Sequence, residues 1–418
     1  MKFNQWTVGL AAAGVVSLGS VVVADEGPVN TLVSGTTLSG YVDTSALYKP
    51  GVQSAASRFV NTAPNTWNGF NFNVVDLAIE KPLDEGEWSA GYKADLWFGP
   101  QASGIPGSLG GDNFAVRAAY VALRAPVGNG LDFKIGQLYG VTGYESADSP
   151  MNPNFSRSLG FHLEPINYTG LSTGYQVTDW LKVVGVVADS AYDVTNAKQT
   201  YDGQDNGNIT SNGGAGNGTL TYVGAVTLTA PDSMGVLAGA TLTGGIVDNG
   251  VSSGPNSLTY YVGVTAPTPI KEITVGGAFD YLSEGAGDGT WATAVAGYVS
   301  WQVSEKMKLN ARVEFAKSDY NAWAIGPSIE VYNPSANEYD TFRLNSGSSR
   351  LLSSTVTLDY QLWANVITRV EVIWDHDLNG SEIFADEYVD TGSASDPYSI
   401  VNGTNNSVLL AANIIYKF

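Results

Sequence analysis

The chain has no cysteine and only two histidines in 418 residues. Disulfides, cysteine-ligated metals and thiol catalysis are therefore excluded. Charge is scarce as well: Asp, Glu, Lys and Arg supply 14% of the residues, against roughly 25% in ordinary soluble proteins. Base is the scarcer sign, 20 Lys plus Arg against 40 Asp plus Glu, for a formal net charge of −20. No basic patch could offset repulsion from phosphate, so nucleic acid is excluded as a partner and cations are the natural one. Beyond the first segment no run of 18 apolar residues occurs, so no transmembrane helix is encoded there.

Apolar residues are nevertheless plentiful, at 44% of the chain, and the mean hydropathy is close to zero. A wall with one lipid face and one wet face produces that combination, because its apolar residues fall at every second position. Glu87 to Phe98 carries Trp88, Ala90, Tyr92, Ala94, Leu96 and Phe98 on one face and Glu87, Ser89, Gly91, Lys93, Asp95 and Trp97 on the other. Met307 to Lys317 and Val366 to Asp375 alternate in the same way.

The connections point to a barrel. Short links, Pro82 to Gly86, Ala125 to Gly130, Thr178 to Trp180, Pro231 to Gly235, Ala266 to Glu272, Ser304 to Lys306 and Trp363 to Asn365, alternate with longer polar ones. The long links are about 49–69, 99–113, 139–167, 189–218, 248–256, 283–289, 318–347 and 376–404. Strict alternation of seven short and eight long links predicts a transmembrane antiparallel up-and-down β-barrel of 16 strands. Its short turns would be periplasmic, its long loops extracellular and both termini periplasmic. Trp88, Phe98, Trp180, Trp291, Trp301, Trp363 and Trp374 would form the two interfacial girdles.

The ends of the chain agree with export. Met1-Lys2, the apolar stretch Thr7 to Val23 and the Val22-Val23-Ala24 site predict a signal peptide, 1–24, cleaved after Ala24. A short N-terminal periplasmic segment, 25–36, would precede a barrel domain over 37–418. The last strand alternates Leu410, Ala412, Ile414, Tyr416 and Phe418. That pattern resembles the signal read by the barrel-assembly machinery, and outer-membrane lipid and lipopolysaccharide would surround the wall.

Several stretches resemble one known family. SGYVDTSALY at Ser39 to Tyr48, EKPLDEGEWSAGY within Asn73 to Leu96, GLDFKIGQLYGVTGYES at Gly130 to Ser146, and Ser149 to Val187 are similar to the putative β-barrel porin-2 family of Gram-negative outer membranes. The most specific part holds Asn-x-x-x-Ser-Arg-Ser at 152–158, the Glu-Pro-x-x-x-Thr-Gly element at 164–170 and Tyr-Gln-Val-Thr-Asp at 175–179. The first half carries the resemblance in its residues and the second half by barrel pattern. It implies a porin for passive or substrate-selective diffusion, with homotrimer formation left open.

In a barrel this wide, inward residues set selectivity. Alternation nominates Lys93, Arg117, Lys134, Lys308, Arg312 and Arg369 as inward cations, with Asp76, Asp95, Asp132, Asp280, Glu314, Asp359 and Glu371 as inward anions. Either they set up a transverse field for polar solutes, or they pair across neighbouring strands and stabilise the wall. The link 139–167 is the candidate constriction, with Glu145, Asp148, Asn154, Arg157, His162 and Glu164 stiffened by Pro150, Pro153 and Pro165. Small hydrophilic solutes, preferentially cations, are the expected cargo.

Other chemistries are sparse. Asp375, Asp377, Asn379-Gly380 and Asp386 resemble the opening of a calcium loop, though the twelfth position lacks the bidentate Glu and strands replace the flanking helices. A solvated acidic loop is the alternative, and no cofactor is required. An outer-membrane hydrolase would need His376 with Asp375, which an extended strand points to opposite sides. A surface adhesin or structural barrel would bind through polar links such as Gly203 to Gly218.

Overall fold

A computed structural model gives the fold. It describes residues 16–17, 35–51, 55–56, 58–60, 68–105, 113–189, 200–201, 209–210, 220–250, 257–284, 289–320, 322–323, 328–333, 338–343, 348–385, 387–390 and 398–418. The expected signal peptide lies outside these except for 16–17, and the expected segment 25–36 lies outside except for 35–36. Asp386 and all of Gly203 to Gly218 but 209–210 also lie outside.

Sixteen antiparallel strands build the wall. They are β1 Thr37–Tyr48, β2 Gly69–Lys81, β3 Ser89–Phe98, β4 Phe114–Ala125, β5 Leu131–Tyr139, β6 Asn167–Thr178, β7 Leu181–Ala188 and β8 Thr221–Thr229. There follow β9 Thr241–Asn249, β10 Ser257–Pro267, β11 Ile273–Glu284, β12 Thr290–Gln302, β13 Met307–Ser318, β14 Ser349–Trp363, β15 Val366–Asp377 and β16 Asn406–Lys417. Each strand pairs with the next, and β16 returns to β1, with Tyr41 opposite Lys417 and Tyr48 opposite Leu410. Gly40 and the terminal Phe418 exchange both backbone hydrogen bonds at 3.0 Å. Closure leaves no open edge, which a sheet in lipid requires.

Short turns lie at one end and long links at the other. One short link is longer than its sequence suggests: β8 and β9 are joined through a 3-10 turn over Asp232–Leu237, where Gly235 takes a φ of 61° and carries the turn past the expected end. Three of the long links contain small hairpins, Thr200–Tyr201 with Ile209–Thr210, Ser328–Asn333 with Glu338–Arg343 and Glu387–Asp390 with Tyr398–Val401.

The alternation sorts side chains as a barrel needs. On β13, Val313 and Phe315 are exposed to the outside while Asn310, Arg312, Glu314 and Ala316 are buried inside. Trp291 and Trp301 both lie on the outward face of β12. Ten residues apart, at about 3.3 Å each and a tilt of about 40°, they bracket an apolar band roughly 25 Å tall. Trp88, Trp180 and Trp363 sit exposed near the same short-turn end as Trp301.

Four bulges interrupt the pairing; two lie beside short turns, at Val177 of β6 and Leu362 of β14, and two lie deeper in the wall. Asp43 pairs with Val74 and Thr44 with Phe72, so Asn73 is the extra residue of β2. Asp95 pairs with Ala118 and Leu96 with Val116, so Arg117 is the extra residue of β4. A bulge re-aims side chains, and here Asn73 and Val74, like Arg117 and Ala118, are all buried.

Inward residues were expected to line a passage instead of filling a core, and the interior departs from that. Apolar residues of the long links fold inside the barrel and form buried clusters against the wall. Leu159, Leu163, Trp323, Ile383 and Phe384 pack on Leu282, Ala292, Ala294, Ala316 and Leu351. Phe59 and Phe155 pack on Leu47, Ile373, Leu409 and Ala411, with the two rings 5.2 Å apart. The apolar residues of the links drive this, since they have no lipid to meet.

Candidate functional site: a segment across the lumen

Residues 140–166 join β5 to β6, yet their middle is bonded to β13, β14 and β15, about half the circumference away. The base is closed by the Gly140 amide donating to the Ile166 carbonyl at 2.8 Å. Two short 3-10 turns, Ser149–Met151 and Gly160–Leu163, bend the segment between its prolines. At the far wall the consecutive amides of Phe155 and Ser156 donate to the two oxygens of Glu371, at 2.7 and 2.9 Å. The Asn154 side chain donates to Thr357 Oγ1 at 2.6 Å, and the Arg369 guanidinium donates to the Ser149 and Asn152 carbonyls at 3.0 and 3.1 Å.

A buried ionic network fastens this junction. Arg312 donates from Nη1 to Glu145 Oε1 and from Nε to Glu314 Oε2, both at 2.8 Å. It also reaches the carbonyls of Ser156 and Arg157 at 2.9 and 3.0 Å. The Leu159 amide donates to Glu314 Oε1 at 2.5 Å, and the Ser158 amide to Glu145 Oε2 at 2.7 Å. Arg58, from the first long link, donates to Glu314 at 2.9 Å, to Ser353 at 2.7 Å and to Asp375. Charge-assisted bonds of this kind are the strong ones. Removing one partner of a buried pair is expensive.

Other charged residues of the segment face inward on themselves. Arg157 is buried and donates to the Phe155 and Ala147 carbonyls, each at 2.6 Å. Burial lowers the pKa of its guanidinium, and Glu145 partly offsets this. The Nε2 of His162 is sealed from solvent without a partner. Burial, then the positive charges of Arg58 and Arg157, push its pKa down to about 3, so the ring is neutral. Glu164 is raised well above the carboxylate range, first by burial and next by the Asp280 carboxyl beside it. Gly143 makes room for Glu164: its φ is 121°, and a Cβ there would lie 2.1 Å from Glu164 Oε2.

Among the described residues, two cavities at the short-turn half of the lumen touch Gly143, Tyr144, Pro150 and Met151 of the segment. The first, about 650 Å³, is bounded by β1 to β5 with Tyr41, Asp76, Glu80, Lys93, Asp95, Arg117, Tyr139, Glu145, Asp148 and Glu164. The second, about 490 Å³, is bounded by Thr241, Thr265, Ser300, Lys308, Asn310, Asp359 and Arg369.

The predicted residues thus divide. Lys93, Asp95, Arg117, Glu145, Asp148 and Glu164 border the first cavity, and Arg369 borders the second. Arg157, His162, Arg312, Glu314 and Glu371 border neither and lie in the junction or within the segment instead. Lys134 also borders neither, its Nζ standing 4.8 Å from the Tyr120 ring centre. Some inward charges pair across neighbouring strands: Lys93 with Glu80 at 3.1 Å, Arg124 with Asp132 at 2.6 Å and Arg369 with Asp359 at 3.0 Å. Arg58 was missed, although it is the single charged residue between Pro50 and Asn68 and is followed by Phe59 and Val60. Tyr139, whose hydroxyl bonds Asp95, was also missed.

The acidic motif at the end of β15 is spread out. Asp375 bonds Arg58, while both oxygens of Asp377 accept the Asn379 and Ser381 amides at 2.9 and 2.7 Å. The Asn379 amide group donates to the Ser348 carbonyl. Among the described residues, no three His, Asp or Glu converge to hold a metal ion. His376 stacks on the outward Trp374, 5.5 Å between ring centres, and bonds Asn406, whereas Asp375 points inward.

The family model described as putative β-barrel porin-2, OmpL-like, matches residues 35–418. Solved structures share the fold. The outer membrane channel DcaP of Acinetobacter baumannii is similar at TM-score 0.54 and 12% identity, covering 92% of this chain and 98% of that one. The anion-selective porin from Comamonas acidovorans is similar at TM-score 0.54 and 14% identity, covering 92% and 99%. OmpT of Vibrio cholerae, in its trimer form, is similar at TM-score 0.53 and 10% identity, covering 92% and 99%. No curated protein matches the chain.

Proposed function

Given that the chain belongs to the putative β-barrel porin-2 family, and is accordingly an outer-membrane porin, we propose that it conducts small hydrophilic solutes with a preference for cations and is not an enzyme. The observation that carries this reading is the lining of the first cavity. Asp76, Glu80, Asp95 and Asp148 stand there against Lys93, Arg117 and Lys417, while Glu145 is committed to Arg312 and Glu164 is held above the carboxylate range. Excess carboxylate beside a narrowed passage raises the local concentration of cations and repels anions. Residues 140–166 form the constriction, held to the opposite wall.

The short-turn end, where Thr37 and Lys417 lie, is the periplasmic face. The apolar band meets outer-membrane lipid and lipopolysaccharide, and β16 is the strand presented to the assembly machinery. Three copies associate, as the trimer form described for Vibrio cholerae OmpT suggests for this fold; native mass spectrometry that finds monomers alone would contradict that part. Catalysis by His376 with Asp375 is disfavoured by their positions on opposite faces of the wall.

Reversal potentials in planar bilayers under a salt gradient test the central reading. A cation-selective potential supports it. An anion-selective potential would overturn the preference, and folded protein without conductance would overturn the channel itself.

A further inference from the structure

Where β9 to β12 border the second cavity the wall is uncharged and carries hydroxyl groups in register. Thr241 of β9 pairs with Thr265 of β10. Thr274 of β11 pairs with Ser300 of β12, which in turn pairs with Asn310 of β13. The cavity they share is about 490 Å³, within the range of about 300–1,000 Å³ usual for small-molecule sites.

Several of these groups are open to a solute. Ser300 donates to Asn310 at 2.7 Å and Thr265 to the Tyr144 hydroxyl at 3.3 Å, which leaves both hydroxyl oxygens able to accept. Among the described residues, no hydrogen bond or ion pair engages the Thr241 and Thr274 hydroxyls or the Lys308 ammonium. All three side chains are half-buried on the inward face. Across the cavity the segment presents Pro150, Pro153 and Met151, the last 57% exposed. One side therefore offers donors and acceptors, and the other offers carbon surface.

Charge narrows the choice of occupant. Lys308 and Arg369 face Asp359, which lies directly opposite Lys308 on the neighbouring strand and accepts from Arg369 at 3.0 Å. The excess of one cation disfavours an ammonium, and Asp359 disfavours a carboxylate beside Lys308. A neutral solute rich in hydroxyls meets neither penalty.

Resting on the channel reading above, we propose that the second cavity is a binding site for a neutral monosaccharide in transit. The hydroxyl edge of the sugar meets the wall, and its C–H face meets Met151 and the two prolines. Each sugar hydroxyl donates and accepts, as Thr274 and Ser300 do, while Lys308 adds donors and Asp359 an acceptor. Lys308 and Thr274 stand two strand spacings apart, about 10 Å, a span that a six-membered ring with its hydroxyls bridges.

The test is single-channel recording of the porin with glucose added on the short-turn side. A reduction of current that saturates with glucose is expected. Triethylene glycol, similar in size but with hydroxyls only at its ends, should give a reduction that stays proportional to concentration. Lys308→Met removes a charged donor and should raise the half-saturating glucose concentration about tenfold or more; Thr274→Val should raise it about two- to tenfold. Either variant suffices if the other fails to fold. Asp232→Asn, in the exposed β8–β9 turn, should leave it as it was.

Open channels that keep their cation preference but respond alike to glucose and triethylene glycol would overturn the site and leave the channel reading standing. Unchanged saturation in both variants would also overturn it, and tighter saturation by gluconate than by glucose would overturn the choice of a neutral solute. Loss of all conductance in the wild-type chain would overturn the reading on which the site rests.

Discussion

Arg312 has none of its side chain exposed and holds Glu145 of the crossing segment and Glu314 of the wall at once. Arg312→Gln keeps some donors but takes the cation from Glu145 and leaves Glu314 with Arg58 alone. The expected cost is about 3–5 kcal/mol, read as a lower denaturant midpoint and noisier single-channel current. Two residues of the segment should carry opposite pH dependences. The pKa of His162 is about 3 in the fold and 6.5 when free. Its contribution is therefore complete above pH 6.5 and lost as the pH falls toward 3. Glu164 has a raised pKa, so its contribution is complete below its ordinary value and lost as the pH rises through the folded value. Melting temperatures from acid to alkaline pH check both: His162→Gln should flatten the acid limb and Glu164→Gln the alkaline one. A variant with an unchanged slope would remove that residue from the explanation.

Strands were legible because each is a period-2 code with a lipid side. Val313 and Arg312 are neighbours with opposite fates, one facing lipid and the other sealed inside. Val313→Arg should cost about 2–4 kcal/mol near the bilayer midplane, measured by unfolding in lipid vesicles; a cost near zero would place β13 differently. Irregular features were less legible. The bulges at Asn73 and Arg117 bring two successive residues inside, which alternation cannot announce. Which charge meets which depends on the path of the links. Arg58 and Glu314 are 256 positions apart in sequence and 2.9 Å apart in space. The prolines and charges of 139–167 marked it as a segment that folds inward. They could not tell that Arg157 and His162 serve its own packing while Asp76 and Asp95 border the cavity.

At the scale of the whole molecule, closure and crossing belong together. A closed wall satisfies every edge, and its width would leave a large water-filled lumen. The links then narrow it from inside, with apolar residues packed on the long-loop half and carboxylates at the short-turn half. Part of the acid excess, Asp76, Glu80, Asp95 and Asp148, borders the first cavity. Raising ionic strength should weaken the cation preference, because charges near water are screened over about 8–10 Å at physiological salt. Reversal potentials measured at about 0.1 M and about 1 M salt check this.

The crossing can be locked directly, because the chain has no cysteine of its own. Asn154→Cys with Thr357→Cys places two thiols where the native side chains meet at 2.6 Å, on the segment and on the opposite wall. With residues 140–166 across the lumen, oxidation in the outer membrane joins the two and conductance stays that of the wild type before and after reduction. If both thiols stay free and a membrane-impermeant maleimide labels the one introduced by Asn154→Cys from outside, the segment lies outside the lumen and the constriction is elsewhere.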